Sequence, residues 1–396
     1  MITRAEAERI AARWARSESD QRGYECEPVL DEFDLGFAIG TRQPATILAV
    51  PGDGARTVID RETGVLSTWP GIPLDDLATC YRGRRPAPPR TVEAAAAIRR
   101  AARRSPSPGS VAHLTVDGRL FRAQGAKGDQ QISHHPLIAR YLSTVDESVR
   151  VRGTERHAEL IVLSEALHSA SAPITLDDAR AWLREAEFAV YLVRETGNPA
   201  GGRPVRPCET CIGALVDFAL LPWSDLALTT EWRHGSDRIP QPGRFPHEVA
   251  RTLAGGGWTS ANPTIGDAVI GRAVELSGDR LRPFAAARRI AAEFAGVRCG
   301  RRGAGLRRAV RLLTIDPTLG AYAVSPLDEL AEVIGVPLFP IGTEGPDAIV
   351  AVDERGRVFV LDQGGEWFVG SSIDEALVSL LAGDGPAARI HDDGTW

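Results

Sequence analysis

Lysine is all but missing from this chain of 396 residues: Lys127 stands alone and the other side-chain cations are arginine, a bias that reflects genome composition more than chemistry. Cysteine is scarce too. The five present, Cys26, Cys80, Cys208, Cys211 and Cys299, are few and odd in number, which argues against a disulfide framework. No apolar run reaches the roughly 18 residues of a membrane-spanning helix. Residues 1–16 are charged and amphipathic rather than a signal peptide. A cytoplasmic protein without a membrane partner is the expectation. Nor is there an excess of positive charge. The formal net charge is −6, and 17 Lys+Arg face 17 Asp+Glu across residues 92–235, with 12 against 14 before that stretch and 17 against 21 after it. Tight duplex binding needs a basic surface that neutralises phosphate, so a small nucleotide or a short single strand suits the chain better than duplex DNA. The rest is ordinary soluble composition, 43% hydrophobic and 25% charged. Such a length accommodates roughly two to four domains.

One constellation stands out from that background. His157-Ala158-Glu159 opens an apolar run, and Pro207-Cys208-Glu209-Thr210-Cys211 follows downstream. An imidazole and two thiolates make three borderline-soft ligands, and a catalytic zinc keeps its fourth position open for water. Zinc lowers the pKa of that water, and Glu159 is placed to take its proton. Residues 155–167 read as a helix with Leu160, Leu163 and Leu167 on one stripe and Thr154 as its N-cap, which puts His157 in the first turn. Residues two apart on a helix do not share a face. A metal bound by His157 and served by Glu159 therefore sits off the helix end, where backbone N–H groups and the dipole point. Pro207 suits the start of a second helix, residues 208–220, whose N-terminus lowers thiol pKa. The cysteine pair alone is equally compatible with a structural zinc corner, a redox pair or chance, and Glu159 alone with a solvated helix carboxylate. It is the His-Ala-Glu at a helix start, followed by a strand and the Pro-Cys turn, that points to catalytic zinc.

His-x-Glu followed by Pro-Cys-x-x-Cys is the signature of zinc nucleobase deaminases. A hairpin at 111–116 and 120–122 precedes the zinc helix; a helix at 176–187, a strand at 188–195 and the cysteine helix follow it. On these features the stretch from Val92 to Gly235 resembles the YwqJ-like deaminases, a toxin-type branch of the cytidine-deaminase-like superfamily. The resemblance implies an α/β/α sandwich, Zn2+ held by His157, Cys208 and Cys211, Glu159 as the catalytic proton shuttle, and a nucleobase-containing small molecule or single-stranded nucleic acid as partner. It does not fix the substrate pocket. Ahead of the zinc helix lie the Gly-rich loop Gln124-Gly125-Ala126-Lys127-Gly128-Asp129 and then His134-His135-Pro136. Glycines let backbone approach a ligand and Lys127 could meet a phosphate, so Gln124, Lys127 and His134 are candidate substrate contacts. A bare turn after a hairpin and ordinary loop histidines are the other reading.

The flanks carry different textures. Thr3-Arg4-Ala5-Glu6 is a capping box for a helix ending near Ser17. Apolar runs at 33–39, 45–50 and 57–59, a turn at 60–64 into a strand at 65–69, and a helix at 74–81 complete a small α+β unit over residues 1–82. It resembles the YrhB-like bacterial immunity family through the first helix, Val58-Ile59-Asp60-Arg61-Glu62-Thr63-Gly64, Trp69-Pro70 and Leu74-Asp75-Asp76. Residues 82–90 form a basic, proline-rich linker, and residues 92–104 read as an alanine-rich helix. From residue 244 onward, a helix opens at Phe245-Pro246 and ends at Gly257-Trp258. Helices at 265–275 and 283–294, a hairpin of 347–353 with 358–361, a strand at 367–370 and a helix at 373–382 follow. Residues 244–396 resemble the third-type branch of the SUKH immunity superfamily, through these features together with Ile315-Asp316-Pro317-Thr318 and Leu338-Phe339-Pro340-Ile341-Gly342. That resemblance implies a domain that binds a toxin or other protein and carries no chemistry of its own. Arg298, Arg301, Arg302, Arg307, Arg308 and Arg311 form a basic cluster, either a solvated face or a surface for an acidic partner.

The sequence thus describes a multi-domain α/β protein in which a cytidine-deaminase-like sandwich, residues 92–235, lies between two small α+β domains. Two functions follow. One is a zinc-dependent hydrolytic deaminase whose immunity-like flanks regulate access or recruit a partner. The other is a cytosolic polyimmunity or toxin-binding protein in which the deaminase fold is an inactive scaffold. The intact ligand set tips the reading toward the first.

Overall fold

Thr3 starts the first helix as expected, its amide donating to Glu6 Oε2 at 2.9 Å, and α1 (Arg4–Arg22) runs past Ser17. The computed structural model of the chain describes residues 1–22, 24–42, 44, 56–69, 72–83, 85, 104–170, 174–194, 197–231, 235–259, 261 and 263–396. The apolar run at 45–50, most of the proline-rich linker and the alanine-rich stretch up to residue 103 lie outside the described residues. A meander follows α1: β1 (Glu27–Phe33), β2 (Gly36–Arg42), β3 (Arg56–Asp60) and β4 (Leu66–Trp69), then α2 (Leu74–Gly83). The run at 33–39, expected as one element, is instead the turn and second strand of a hairpin. β1 escaped notice because its sequence, EPVLDEF, is largely solvated and has no buried alternate face. In β2 and β3 the alternation is clear. Phe37, Ile39 and Ile59 pack with Ile2, Ala7 and Ile10 on one side, and Ala38 and Val58 with Trp69, Leu77 and Tyr81 on the other.

The middle stretch is built on the hairpin of β5 (Ser110–Val116) and β6 (Arg119–Gln124). Asp117 and Gly118 both take positive φ at its tip, as a two-residue turn requires. β8 (Glu187–Leu192) pairs antiparallel with the other edge of β5. Among the described residues this sheet has three strands, in the order β6-β5-β8. The coarse reading, a mixed α/β chain with several sheets, holds. β7 (Gln131–Ile132) leaves this stretch and pairs parallel with β4, becoming the fifth strand of the N-terminal sheet. Helices α3 (Pro136–Thr144), α4 (Ala158–His168), α5 (Leu176–Leu183), α6 (Glu209–Asp217) and α7 (Trp223–Ala227) complete the stretch. Ala158 through Leu167 are all buried, not just one stripe, because α3, α5, α6 and the sheet share one core around α4.

The last third holds α8 (His247–Gly255), α9 (Pro263–Leu276), α10 (Ala285–Phe294), β9 (Arg298–Cys299), β10 (Leu313–Thr314) and α11 (Val324–Ile334). It continues with β11 (Leu338–Glu344), β12 (Ala348–Asp353), β13 (Val358–Asp362), β14 (Gly365–Gly370), α12 (Ile373–Ala382) and β15 (Ala388–Arg389). Its seven strands form an antiparallel meander, β15-β14-β13-β12-β11-β10-β9. The register shifts between Pro340 and Gly342, where a proline without an N–H is tolerated. Trp258, Phe294, Phe339 and Phe359 are fully buried in its core. The arginine cluster is not one solvated face. Arg311 is buried against Asp347 at 2.8 Å, Arg308 donates to the Gly385 carbonyl at 2.8 Å, and Arg302 to the Leu228 carbonyl at 2.9 Å. No helix among the described residues is long and apolar enough to cross a membrane.

Charged and polar contacts, the Arg104 pairs buried among them, tie the last third to the middle. Arg104, just before β5, pairs with Glu366 and Asp392; Ser105 N donates to Glu329 at 2.7 Å; His391 meets Asp129 at 2.8 Å. Backbone joins them as well, Gly305 N donating to Ser148 O at 2.9 Å and Ala309 N to Arg150 O at 3.1 Å.

Asp60 is the electrostatic anchor of the N-terminal sheet. Burial opposes its ionisation, yet Arg85, the Thr63 amide and the Tyr81 hydroxyl, which donates at 2.8 Å, hold it well below the usual carboxylate range. A depressed carboxyl contributes stability that is present above its unfolded pKa and lost as pH falls through the folded value. Asp60→Asn should therefore cost about 2 kcal/mol at pH 7, and the difference from wild type should begin to shrink as the pH falls below about 4 and disappear only as it passes through the much lower folded value. Urea midpoints of the full chain across that range provide the check.

Candidate metal centre

The two halves of the motif meet at two helix starts. His157 follows a short 3₁₀ turn, Thr154–Arg156, and has extended backbone, φ −77° and ψ 144°, so it precedes α4 rather than lying in its first turn. That break results from the closed turn before it: His157 N already donates to Thr154 O at 3.0 Å and Thr154 Oγ1 to Val151 O at 2.6 Å. Cys208 caps α6 with φ −67° and ψ 163°, and Cys211 lies in that helix's first turn. His157 Nδ1 is 3.4 Å from Cys208 Sγ and 3.6 Å from Cys211 Sγ, and the three ligand atoms lie within 4.8 Å of one another. Zinc–nitrogen and zinc–sulfur bonds of about 2.0 and 2.3 Å at a tetrahedral angle place N and S about 3.6 Å apart. The donor set fits a zinc ion. All three residues are buried, and Glu159, two positions on from His157, is only 1% exposed.

The electrostatics suit a cation. Burial opposes the Cys208 thiolate, but the Cys211 hydrogen bond and the His157 charge outweigh it and hold Cys208 well below the ordinary thiol range. Cys211 is pushed well above that range by burial and by its bond to Cys208. Burial lifts the Glu159 carboxyl to about 7, against the opposing charge of His157. The amide ends of α4 and α6 add positive potential. His157 Nε2 has no hydrogen-bond partner among the described residues, whereas a metal-bound imidazole ordinarily donates its other N–H.

The supports come from several elements. Thr210, between the cysteines, accepts from Val151 N at 2.8 Å, and its carbonyl accepts from Tyr141 at 3.0 Å, which lashes the cysteine turn to the loop before His157. The buried Arg156 guanidinium donates to the carbonyls of Ala126, Gly364, Gln130 and Gly128 at 2.6–2.9 Å. Gly153 takes φ 67° and would place a Cβ 2.4 Å from the Trp367 ring, so only glycine serves there.

The C-terminal domain closes the centre. The turn after β13 brings Gln363 onto the start of α4: its Oε1 accepts from Ala158 N at 3.1 Å and its Nε2 donates to Glu159 Oε2 at 3.3 Å. Beside it Asp362 accepts from Gly364 N at 2.8 Å and from Trp367 Nε1 at 3.0 Å, and Arg152 is buried between Asp362 and Glu344. Sequence reasoning missed Gln363, Asp362 and Arg152. Gln363-Gly364-Gly365 announces a tight turn, but nothing local announces its target more than 200 residues away. Of the expected substrate contacts, Lys127 donates to the Ser107 carbonyl at 2.7 Å and His134 Nε2 lies 2.6 Å from the Glu155 carbonyl. Burial lowers the His134 pKa. Gln124 ends β6, half-buried.

Comparison with known families places immunity domains at both ends. Residues 245–383 match the family described as SUKH-3 immunity protein, and residues 5–87 match the immunity protein 35-like domain. The chain therefore carries a SUKH-3 domain at its C-terminus and an immunity domain, 35-like, at its N-terminus, where the resemblances implied immunity domains. These matches lend the deaminase resemblance of the middle stretch no support. No curated protein and no solved structure matches the chain.

A zinc titration of the purified full chain should saturate at one ion, and His157→Ala or Cys208→Ser should weaken it about 100-fold or more. Metal analysis after dialysis is the measurement; undiminished zinc in both variants would place the metal elsewhere.

Proposed function

We propose that this chain is an immunity protein that binds a protein toxin, with a zinc-binding, deaminase-like module set between its two immunity domains. The observation that carries the reading is the pair of family matches, which together span both ends of the chain. The seating of the Gln363 turn against Glu159 agrees with it, because a centre covered by an immunity domain behaves as part of a binding protein while the cover stays in place. The partner is a toxin domain engaged through either end. In the test, the full chain is co-expressed with a panel of nuclease, deaminase and peptidase toxin domains, and complexes are weighed by titration calorimetry. Restored growth together with a one-to-one complex is the expected result. Failure to protect against or bind any member counts against it.

A second reading is favoured by one specific observation, the complete set of His157, Cys208 and Cys211 with Glu159 beside it. It is hydrolytic deamination of a nucleobase, in a free nucleotide or a single strand: the amino-bearing base plus water gives the oxo base plus ammonia, a C–N bond being broken and a C–O bond formed. Zinc bound by the three ligands would supply water of lowered pKa. Glu159 would accept the proton of that water, deliver it to the ring nitrogen, and pass a proton to the departing amine. The amide groups at the starts of α4 and α6 would stabilise negative charge as it develops. Glu159→Ala should keep fold and zinc while lowering ammonia release about 1,000-fold. Deamination that persists at the wild-type rate in this variant removes the carboxylate from the mechanism.

A further inference from the structure

We propose that Gln363 is a built-in occupant of the metal centre, a side chain that fills the seat of a substrate edge and holds the middle module closed. The inference deepens the deaminase reading and rests on it for the identity of the seat.

A carboxamide presents a carbonyl acceptor and an N–H donor from one carbon atom. Here Gln363 Oε1 faces the Ala158 amide at 3.1 Å and Gln363 Nε2 faces the Glu159 carboxylate at 3.3 Å. These two groups flank the ligand set, one on each of the residues that follow His157. The O=C–N–H fragment they grip is also the lactam edge of a pyrimidine such as uracil, the product of cytosine deamination. Adenine carries C–H where that carbonyl would be and gives the Ala158 amide nothing to donate to. The seat therefore fits a base with an oxo group beside the ring nitrogen.

The fit is built from both sides. On the C-terminal domain, the Asp362 carboxylate pins the turn through Gly364 N and Trp367 Nε1, and Gln363 itself is 2% exposed. On the middle module, Gly125 lies so close that a Cβ there would be 2.4 Å from the Gln363 carbonyl oxygen. Arg156 reaches across to the Gly364 carbonyl at 2.9 Å. Entry of a base to Glu159 requires the turn of residues 362–364 to withdraw. A partner that engages the SUKH-3 domain and shifts that turn would thereby open the centre.

The test uses the zinc-loaded full chain and reads the transfer of zinc to 4-(2-pyridylazo)resorcinol, with hydrogen exchange of the segment containing Ala158 as a second readout. Gln363→Ala removes the occupant, and Gln363→Glu keeps its size while setting two carboxylates against each other, so the result does not depend on one variant folding. Both should speed zinc transfer and Ala158 exchange about tenfold or more. Unchanged rates in both folded variants overturn the proposal. Ammonia release from cytidine, cytidine monophosphate and oligo-dC, followed in parallel, separates the two ideas. Faster transfer without ammonia keeps the occupant and removes the deaminase; ammonia from wild type at full rate with unchanged transfer keeps the deaminase and removes the occupant.

Discussion

The contact between the Gln363 turn and the start of α4 is the constraint on which the rest depends. It couples two hydrogen bonds, at Ala158 and Glu159 beside the candidate metal ligand His157, to a domain built from residues far along the chain. Burying polar groups so deeply is costly unless each finds a partner, and the structure meets that demand across the domain boundary. Arg152 lies between Glu344 and Asp362, Asp362 receives the Trp367 indole, and Arg156 gathers carbonyls from both sides. Remove the C-terminal domain and Arg152 loses both its carboxylates, Glu159 and Ala158 lose Gln363, and Arg156 loses the Gly364 carbonyl. The centre is consequently a property of the assembled chain rather than of the middle stretch alone.

That arrangement reconciles the two functional readings. An immunity domain needs a surface for a partner, whereas a deaminase needs an opening for a base. The described structure favours the first, since the ligand set and Glu159 are covered. It also preserves the geometry of the second, with nitrogen-to-sulfur distances that suit a tetrahedral ion. A scaffold kept for shape alone would have no need of His157 and both thiols at metal-ligand spacing.

What the sequence revealed and what it concealed divide along the range of the interactions. The His157, Cys208 and Cys211 grouping was legible because each half is a local signal at a helix start, and the hairpin of β12 and β13 because its turn and alternation are local too. The start of α4 was misplaced by three residues, at 155 rather than Ala158, since the turn that ends at Arg156 is fixed by Val151 and Thr154 rather than by helix propensity. β1 was missed because its exposed, charged residues show no alternation. The arginine cluster looked like a surface because arginine is ordinarily solvated, and only tertiary pairing shows Arg311 against Asp347. Gln363 was invisible for the same reason: its partners lie in another domain.

The scarcity of lysine acquires a meaning in this fold. The chain's one lysine side chain is half-buried, its nitrogen against the Ser107 carbonyl within the field of Glu366 and Glu329 of the C-terminal domain, and desolvation pushes its pKa down to about 8. The uncharged amine is thus more populated just above neutral pH than in an ordinary lysine, though the charged form still predominates there, and its reach to solvent depends on how tightly the C-terminal domain is seated. An acylating reagent specific for amines consequently finds a single side chain to modify, at the seam between the two domains.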